Sequence, residues 1–243
     1  MAPCASSVSA SSTAIPIQDR RTTMDIKLNL AEELLLLALN EEKGTILMAA
    51  STGLPYGLAG ALIVELVEAG LLRIEGTELI AAPRGSARDE LLDEVLGSIR
   101  TSKRTRNLKH WVGKIGRSGG KIKEKLLNRL VEKGILKREE HRLLWVFPTR
   151  RYPETDPRPE YKIRERVRAG ILGAVPPETR TAALISLVHA CDLTGVLFEK
   201  GERREARKRA KEITKSQPIG NAVAHTVEAV KVAVVTAAAA GGS

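Results

Sequence analysis

Reactive side chains are sparse in this sequence, and the two that stand closest are His189 and Cys191, an imidazole two residues from a thiol. A base beside a nucleophile is the raw material of covalent catalysis. The apolar run ALISLV before them predicts a core helix, however, and residues two apart on a helix point to different faces. The pair therefore reads as a helix-terminal histidine and a buried cysteine. His110, His141 and His225 have no carboxylate or second histidine at ligand spacing on an apolar face, so no metal site is expected. Gly116, Gly119 and Gly120 follow no strand, which excludes the common nucleotide-binding loops. Neither catalysis nor a cofactor is expected.

Anion-binding chemistry is better supplied. Between Arg100 and Lys125 stand Arg100, Lys103, Arg104, Arg106, Lys109, Lys114, Arg117, Lys121, Lys123 and Lys125, opposed by Glu124 alone. Within this run Ser118-Gly119-Gly120 precedes a helical pattern, where free backbone N–H groups attract phosphate and lysines complete a site. A second basic run, Arg203 to Lys211, is interrupted by Glu202, Glu205 and Glu212 and reads as a solvated, self-paired helix face.

The elements that must position these groups are mostly helices. LAEELLLLALNEEKG predicts a buried helix capped by Asn29, with Glu32 at the third helical position and a stop at Gly44. A second helix is expected from about Gly57 to Ala69, followed by a hairpin near 71–82. SARDELLDEVLGSIRTS, capped by Ser86, and NLKHWVGKIGR are helical by period. The order helix, Gly stop, hairpin then recurs: ALIVELVEAGLLRIEGTELIAAP and KLLNRLVEKGILKREEHRLLWVFP form an internal repeat, the second hairpin near 135–147 with Arg138-Glu139-Glu140-His141 at its tip. Prolines delay the next helix to about Glu160, and helices from Tyr161, Pro177, Glu202 and Asn221 complete the chain. The expected fold is mainly α with two small β-hairpins: a single domain over 27–238, a disordered leader over 1–26 and a flexible tail over 239–243.

Composition agrees. The chain has 243 residues, 43% hydrophobic and 28% charged, the balance of a globular protein with a sizeable core. Aromatics are only 3%, too few for the stacking platforms of single-stranded nucleic acid or sugar binders. A net charge of +10 predicts polyanionic partners, nucleic acid or an anionic membrane surface. Two cysteines, Cys4 and Cys191, leave no disulfide framework and suit a reducing, cytoplasmic setting. No segment is apolar for the length a bilayer span requires.

On LAEELLLLALNEEKG, GLAGALIVELVEAGLLRIE, LLDEVL, LVEKGIL with its hairpin, and RTAALISLVHACDL, in that order over about residues 27–236, the sequence resembles the Golgi phosphoprotein 3 family. It is most similar to the divergent prokaryotic-type members. The resemblance implies a helical bundle wrapped by amphipathic helices, peripheral membrane association and phosphatidylinositol 4-phosphate binding, at the cytosolic face of the Golgi in eukaryotes. It also implies adaptor contacts to short cytosolic tails of membrane proteins, and membrane contact or self-association through the second hairpin. The family's headgroup pocket uses one Trp and three Arg; Ala50, Ala59, Gly120 and Lys123 hold those places here. Only Lys123 keeps a charge, and lysine lacks the planar fork of arginine. What the resemblance implies is therefore attraction to anionic phospholipid headgroups at Lys123, and Lys121, Arg117 and Lys114 in the same basic region complete the candidate residues.

A competing reading is DNA binding by tandem winged-helix units, since helix followed by hairpin occurs twice in a basic chain. Against it, Glu65 and Glu68 stand where a recognition helix needs donors for base edges.

Overall fold

A computed structural model describes residues 26–143 and 147–240, with side chains described outside 141–149 and 237–240. Ten helices and five short strands are formed among the described residues. Helix α1 (Leu30–Leu37) begins with the expected reciprocal cap: Asn29 Oδ1 accepts from the Glu32 N–H at 2.8 Å, and Glu32 Oε2 accepts from the Asn29 N–H at 2.9 Å. All eight of its residues are buried. Gly44, where the stop was expected, lies in the loop beyond, after Leu37 has ended the helix.

Helix α2 (Leu54–Glu68) is the hub and packs against α1, α3, α4, α5, α7 and α10. It starts three residues earlier than its pattern predicts, because Pro55 suits the first turn. Gly70 (φ 69°) ends it, and the Leu71 N–H donates back to the Leu66 carbonyl at 2.9 Å. Helix α5 (Gly119–Glu132) ends in the same way: Gly134 has φ 71° and the Ile135 N–H reaches the Leu130 carbonyl at 3.0 Å. These are repeated left-handed glycine caps. A hairpin follows in both units, but at a different offset. After α2 the chain enters β1 (Leu72–Glu75), which pairs with β2 (Glu78–Ala81), Ile74 opposite Leu79. After α5, Ile135 and Leu136 stay in the body, Leu136 bridging to Glu154, and the hairpin begins only at β4 (Glu139–Leu143).

That offset corrects the expected hairpin. Strand β4 pairs with β5 (Phe147–Arg151), Glu139 opposite Arg151 and Leu143 opposite Phe147. Glu139, Glu140 and His141 are thus in a strand, not at a tip, and the joining residues 144–146 lie outside the described residues. The first hairpin gains a third strand, β3 (Arg106–Asn107), paired to β2. Helix α3 (Glu90–Arg100) is capped by Asp89 rather than Ser86, whose hydroxyl binds Asp93 instead.

Helix α4 (Leu108–Arg117) runs into α5. Then come α6 (Arg158–Leu172), α7 (Thr179–Ala190), the short α8 (Thr194–Leu197), α9 (Arg203–Ser216) and α10 (Pro218–Ala240). Pro159 is accepted in the first turn of α6, where its missing N–H costs nothing, so that helix starts before Glu160. Pro176 and Pro177 precede α7 without entering it, and α10 extends to Ala240. One cluster of buried apolar residues runs from Leu28 to Val227. No helix among the described residues is long and apolar enough to cross a membrane. The expected leader lies outside the described residues save for Ile26, as do residues 241–243 of the expected tail.

Candidate basic surface

Helix α4 is strongly two-sided. Leu108, Trp111, Val112 and Ile115 recur at helical spacing and are buried, which turns Lys109, His110, Lys114 and Arg117 outward. Asn107 caps the helix by accepting from the His110 N–H at 2.8 Å. Pairing of Asn107 and Arg106 with β2 fixes that start against the first sheet. Partial desolvation, followed by the charges of Arg106, Lys114 and Arg117, holds the His110 pKa below the usual histidine range. The Lys114 ammonium sits 4.7 Å from the Trp111 ring centroid.

Among the described residues none of Lys103, Arg104, Arg106, Lys109, Lys114, Arg117, Lys121 or Lys123 is in an ion pair. Basic groups elsewhere are engaged: Arg129 with Asp89, Lys133 with Glu32, and Arg164 with Glu41 and Glu160. The positive potential of the α4–α5 face is thus left uncompensated by neighbouring acids.

The structure divides the four expected headgroup residues. Lys114 and Lys121 line a cleft of about 240 Å³ between α3, α4 and α5, floored by Val95, Trp111 and Ile122. Lys125 stands at the same cleft but is held by Glu94 at 2.5 Å. Lys123, half-buried, opens instead on a cleft of about 490 Å³ shared with Gly120, Gly44, Arg150 and Tyr152. Arg150 donates there to Glu124 at 2.5 Å. Arg117 is exposed and lines neither cleft.

Helix α5 begins at Gly119, so Ser118-Gly119-Gly120 is the helix start that was expected. The Ser118 side chain makes no cap bond, while its carbonyl accepts from the Lys121 and Ile122 N–H groups. Gly119 is buried because a Cβ there would press into Pro55, and Gly116 lies as tightly against the Tyr56 ring. Both glycines serve close packing onto the start of α2. Helix α9 differs in part from expectation: Glu202 pairs with Arg168 of α6, and Arg209 donates to the Leu172 and Gly173 carbonyls at the end of α6. Those two residues join helices, while Arg204, Arg207, Lys208 and Lys211 are exposed on the solvated face that was expected.

The nucleophile pair behaves as packing. Cys191 is fully buried, burial pushes its thiol up to about 12, and its sulfur fills the space that a side chain at Gly57 would need. In a Cys4→Ser background, Cys191 should resist iodoacetamide in native protein at pH 8 and react on unfolding. Fast native labelling would contradict this placement. Burial likewise lowers the His189 pKa. No group of three metal-ligating side chains occurs among the described residues. Helix α2 is buried from Gly57 to Val64, so it offers no face for DNA.

Sequence reasoning missed Arg150 because β5 brings it to α5 from 26 residues away in the chain, beside Glu124. It also counted Arg100, Arg104 and Arg106 as charge without seeing that Trp111 joins them in one cleft. A tryptophan on the buried face of a basic helix was the available signal.

The sequence model described as Golgi phosphoprotein 3 (GPP34) matches residues 30–230. The chain is also similar to vacuolar protein sorting-associated protein 74 of Schizosaccharomyces pombe, 30% identical over 165 residues, with 58% of this chain and 47% of the relative covered. The chain thus spans about half the length of that curated relative.

Proposed function

Because this chain belongs to the Golgi phosphoprotein 3 family, we propose that it is a non-enzymatic protein that docks peripherally on anionic membrane surfaces. The observation that carries this reading is the unpaired basic face of α4 and the start of α5. Lys121 and Lys123 anchor the contact, with Lys114 and Arg117 beside them. Two of the four positions implied by the family's headgroup pocket, Gly120 and Lys123, line one cleft, which supports a headgroup role for that cleft. The other two, Ala50 and Ala59, are fully buried alanines and offer no donor side chain. Attraction to negative charge in general fits this chemistry better than a pocket selective for one phosphoinositide. On such a surface the protein serves as an adaptor for the short cytosolic tails of membrane proteins, at the Golgi where the cell has one. Self-association through the second hairpin is part of the same proposal.

Liposome flotation tests it. Each lysine near an anionic surface contributes about 1 kcal/mol, so Lys121→Ala with Lys123→Ala should weaken binding to phosphatidylserine vesicles by about tenfold to thirtyfold. The difference should shrink as salt rises to about 0.5 M, because the attraction is screened over a Debye length. Unchanged flotation of the double variant at low salt would remove the site. Equal flotation of the parent on neutral vesicles would remove the electrostatic mechanism, and tighter binding to duplex DNA at the same salt would favour the nucleic-acid reading.

A further inference from the structure

A third cleft, of about 300 Å³, lies between β2, the end of α3 and the connection from α3 to β3. Arg100, Ser102, Arg104, Arg106 and Trp111 line it, and every one of these side chains can donate a hydrogen bond. Arg100 is fixed before any ligand arrives. Its Nε donates to the Ala82 carbonyl and its Nη1 to the Gly85 carbonyl, both at 2.8 Å. Its remaining nitrogen, Nη2, is buried and has no acceptor among the described residues. Trp111 is 1% exposed, and its indole N–H also lacks an acceptor.

Buried donors are almost always satisfied in native proteins, and leaving one unsatisfied is costly. Arg100 and Trp111, each with an unsatisfied buried donor, both line this cleft, and with the exposed residues Arg104 and Arg106 they suit a ligand that is all acceptor and negatively charged. A carboxylate elsewhere in the chain does not fill the role, since Arg104 and Arg106 have no ion-pair partner among the described residues. We propose that this cleft binds a phosphate group through Arg100, Arg104, Arg106 and the Trp111 indole.

The site shares Trp111 with the cleft that holds Lys121, but Arg100, Arg104 and Arg106 line neither lysine cleft, and the site does not depend on the membrane reading. Arg106 belongs both to this cleft and to the group of charges around His110, so a phosphate bound here lies beside the basic face of α4.

The Trp111 indole N–H gives a direct readout. In a Trp145→Phe background one indole signal remains in the proton–nitrogen NMR spectrum, and inorganic phosphate titrated at constant ionic strength should shift it saturably. Arg104→Gln with Arg106→Gln alters exposed groups and should leave the fold intact, yet weaken phosphate binding by about tenfold or more. A shift that fails to saturate by about 50 mM phosphate, that chloride reproduces, or that survives unchanged in the double variant overturns the site. Lys121→Ala with Lys123→Ala should keep the shift, so loss of headgroup docking and loss of this site are read separately. The source of the phosphate is read on vesicles containing phosphatidic acid. If inorganic phosphate lowers flotation of the parent but not of the Arg104/Arg106 variant, the site takes a lipid headgroup. Saturable phosphate binding with no effect on flotation supports the site with a small soluble phosphate as its ligand.

Discussion

Replacing Arg180 by methionine should destabilise the fold by about 3–5 kcal/mol at neutral pH, since it strips a buried charge network of its shared cation. Arg180 projects from α7 to carboxylates on two other helices: Glu65 at 2.8 Å and Glu68 at 3.4 Å on α2, and Glu33 at 3.6 Å on α1. It also donates to the Leu28 carbonyl at 3.0 Å. Glu65 accepts from the Leu30 N–H at 2.6 Å and so holds the start of α1. Glu33 is buried, with Arg166 as its other partner at 2.5 Å. Methionine keeps the apolar stem and removes the charge together with its donors.

The pH dependence follows from burial. Desolvation raises the pKa of Glu33 and of Glu68, and Arg180 opposes the rise at both; Arg166 does so at Glu33. A carboxylate whose folded pKa exceeds its unfolded value stabilises most below the unfolded value, and that contribution is lost as pH rises through the folded one. Without Arg180 both pKa values climb further, and the deficit relative to the parent grows from acid to neutral pH. Urea unfolding of parent and variant at pH 5 and pH 7.5 should give the larger difference at pH 7.5. A loss below about 1 kcal/mol, or a larger loss at pH 5, would show that the network does not hold these helices together.

Gly44→Ala should cost about 3 kcal/mol, combining backbone strain with a clash that has no soft partner. Gly44 has φ 57°, and a Cβ there would fall on the backbone of Tyr152 and Pro153. Its carbonyl accepts from the Tyr152 N–H at 2.9 Å, the bond that docks the return from β5 onto the loop after α1. Because Gly44 and Tyr152 both line the cleft that holds Lys123, the substitution should also speed hydrogen exchange at the Tyr152 amide. Gly120→Ala is the control. Gly120 lies in α5 in the same cleft with open space around it, and the change should stay within about 0.5 kcal/mol. Equal stability of Gly44→Ala and parent by thermal melting would mean that this contact is not tight in solution.

The amino-acid sequence by itself determined the helical class, the Asn29–Glu32 cap, the glycine caps at Gly70 and Gly134, the two-sided α4 and the excess of positive charge. All of these are local. Helical period, cap chemistry and left-handed glycine involve residues within a few positions of one another, so spacing alone exposes them. Tertiary structure decided the rest. Hairpin register depended on whether Ile135 and Leu136 entered the strand or stayed with the body, and the Leu136–Glu154 bridge kept them there. Charge in the sequence did not distinguish free cations from paired ones: Lys125 and Lys123 are two residues apart, yet Glu94 of α3 holds only Lys125. Ser118-Gly119-Gly120 read in the sequence as a helix start, and only the approach of Pro55 showed that Gly119 also allows close packing onto α2. Arg100 and Trp111 likewise became one site only when α3 and α4 closed around the edge of β2, since burial creates an unsatisfied donor and burial belongs to the assembled fold.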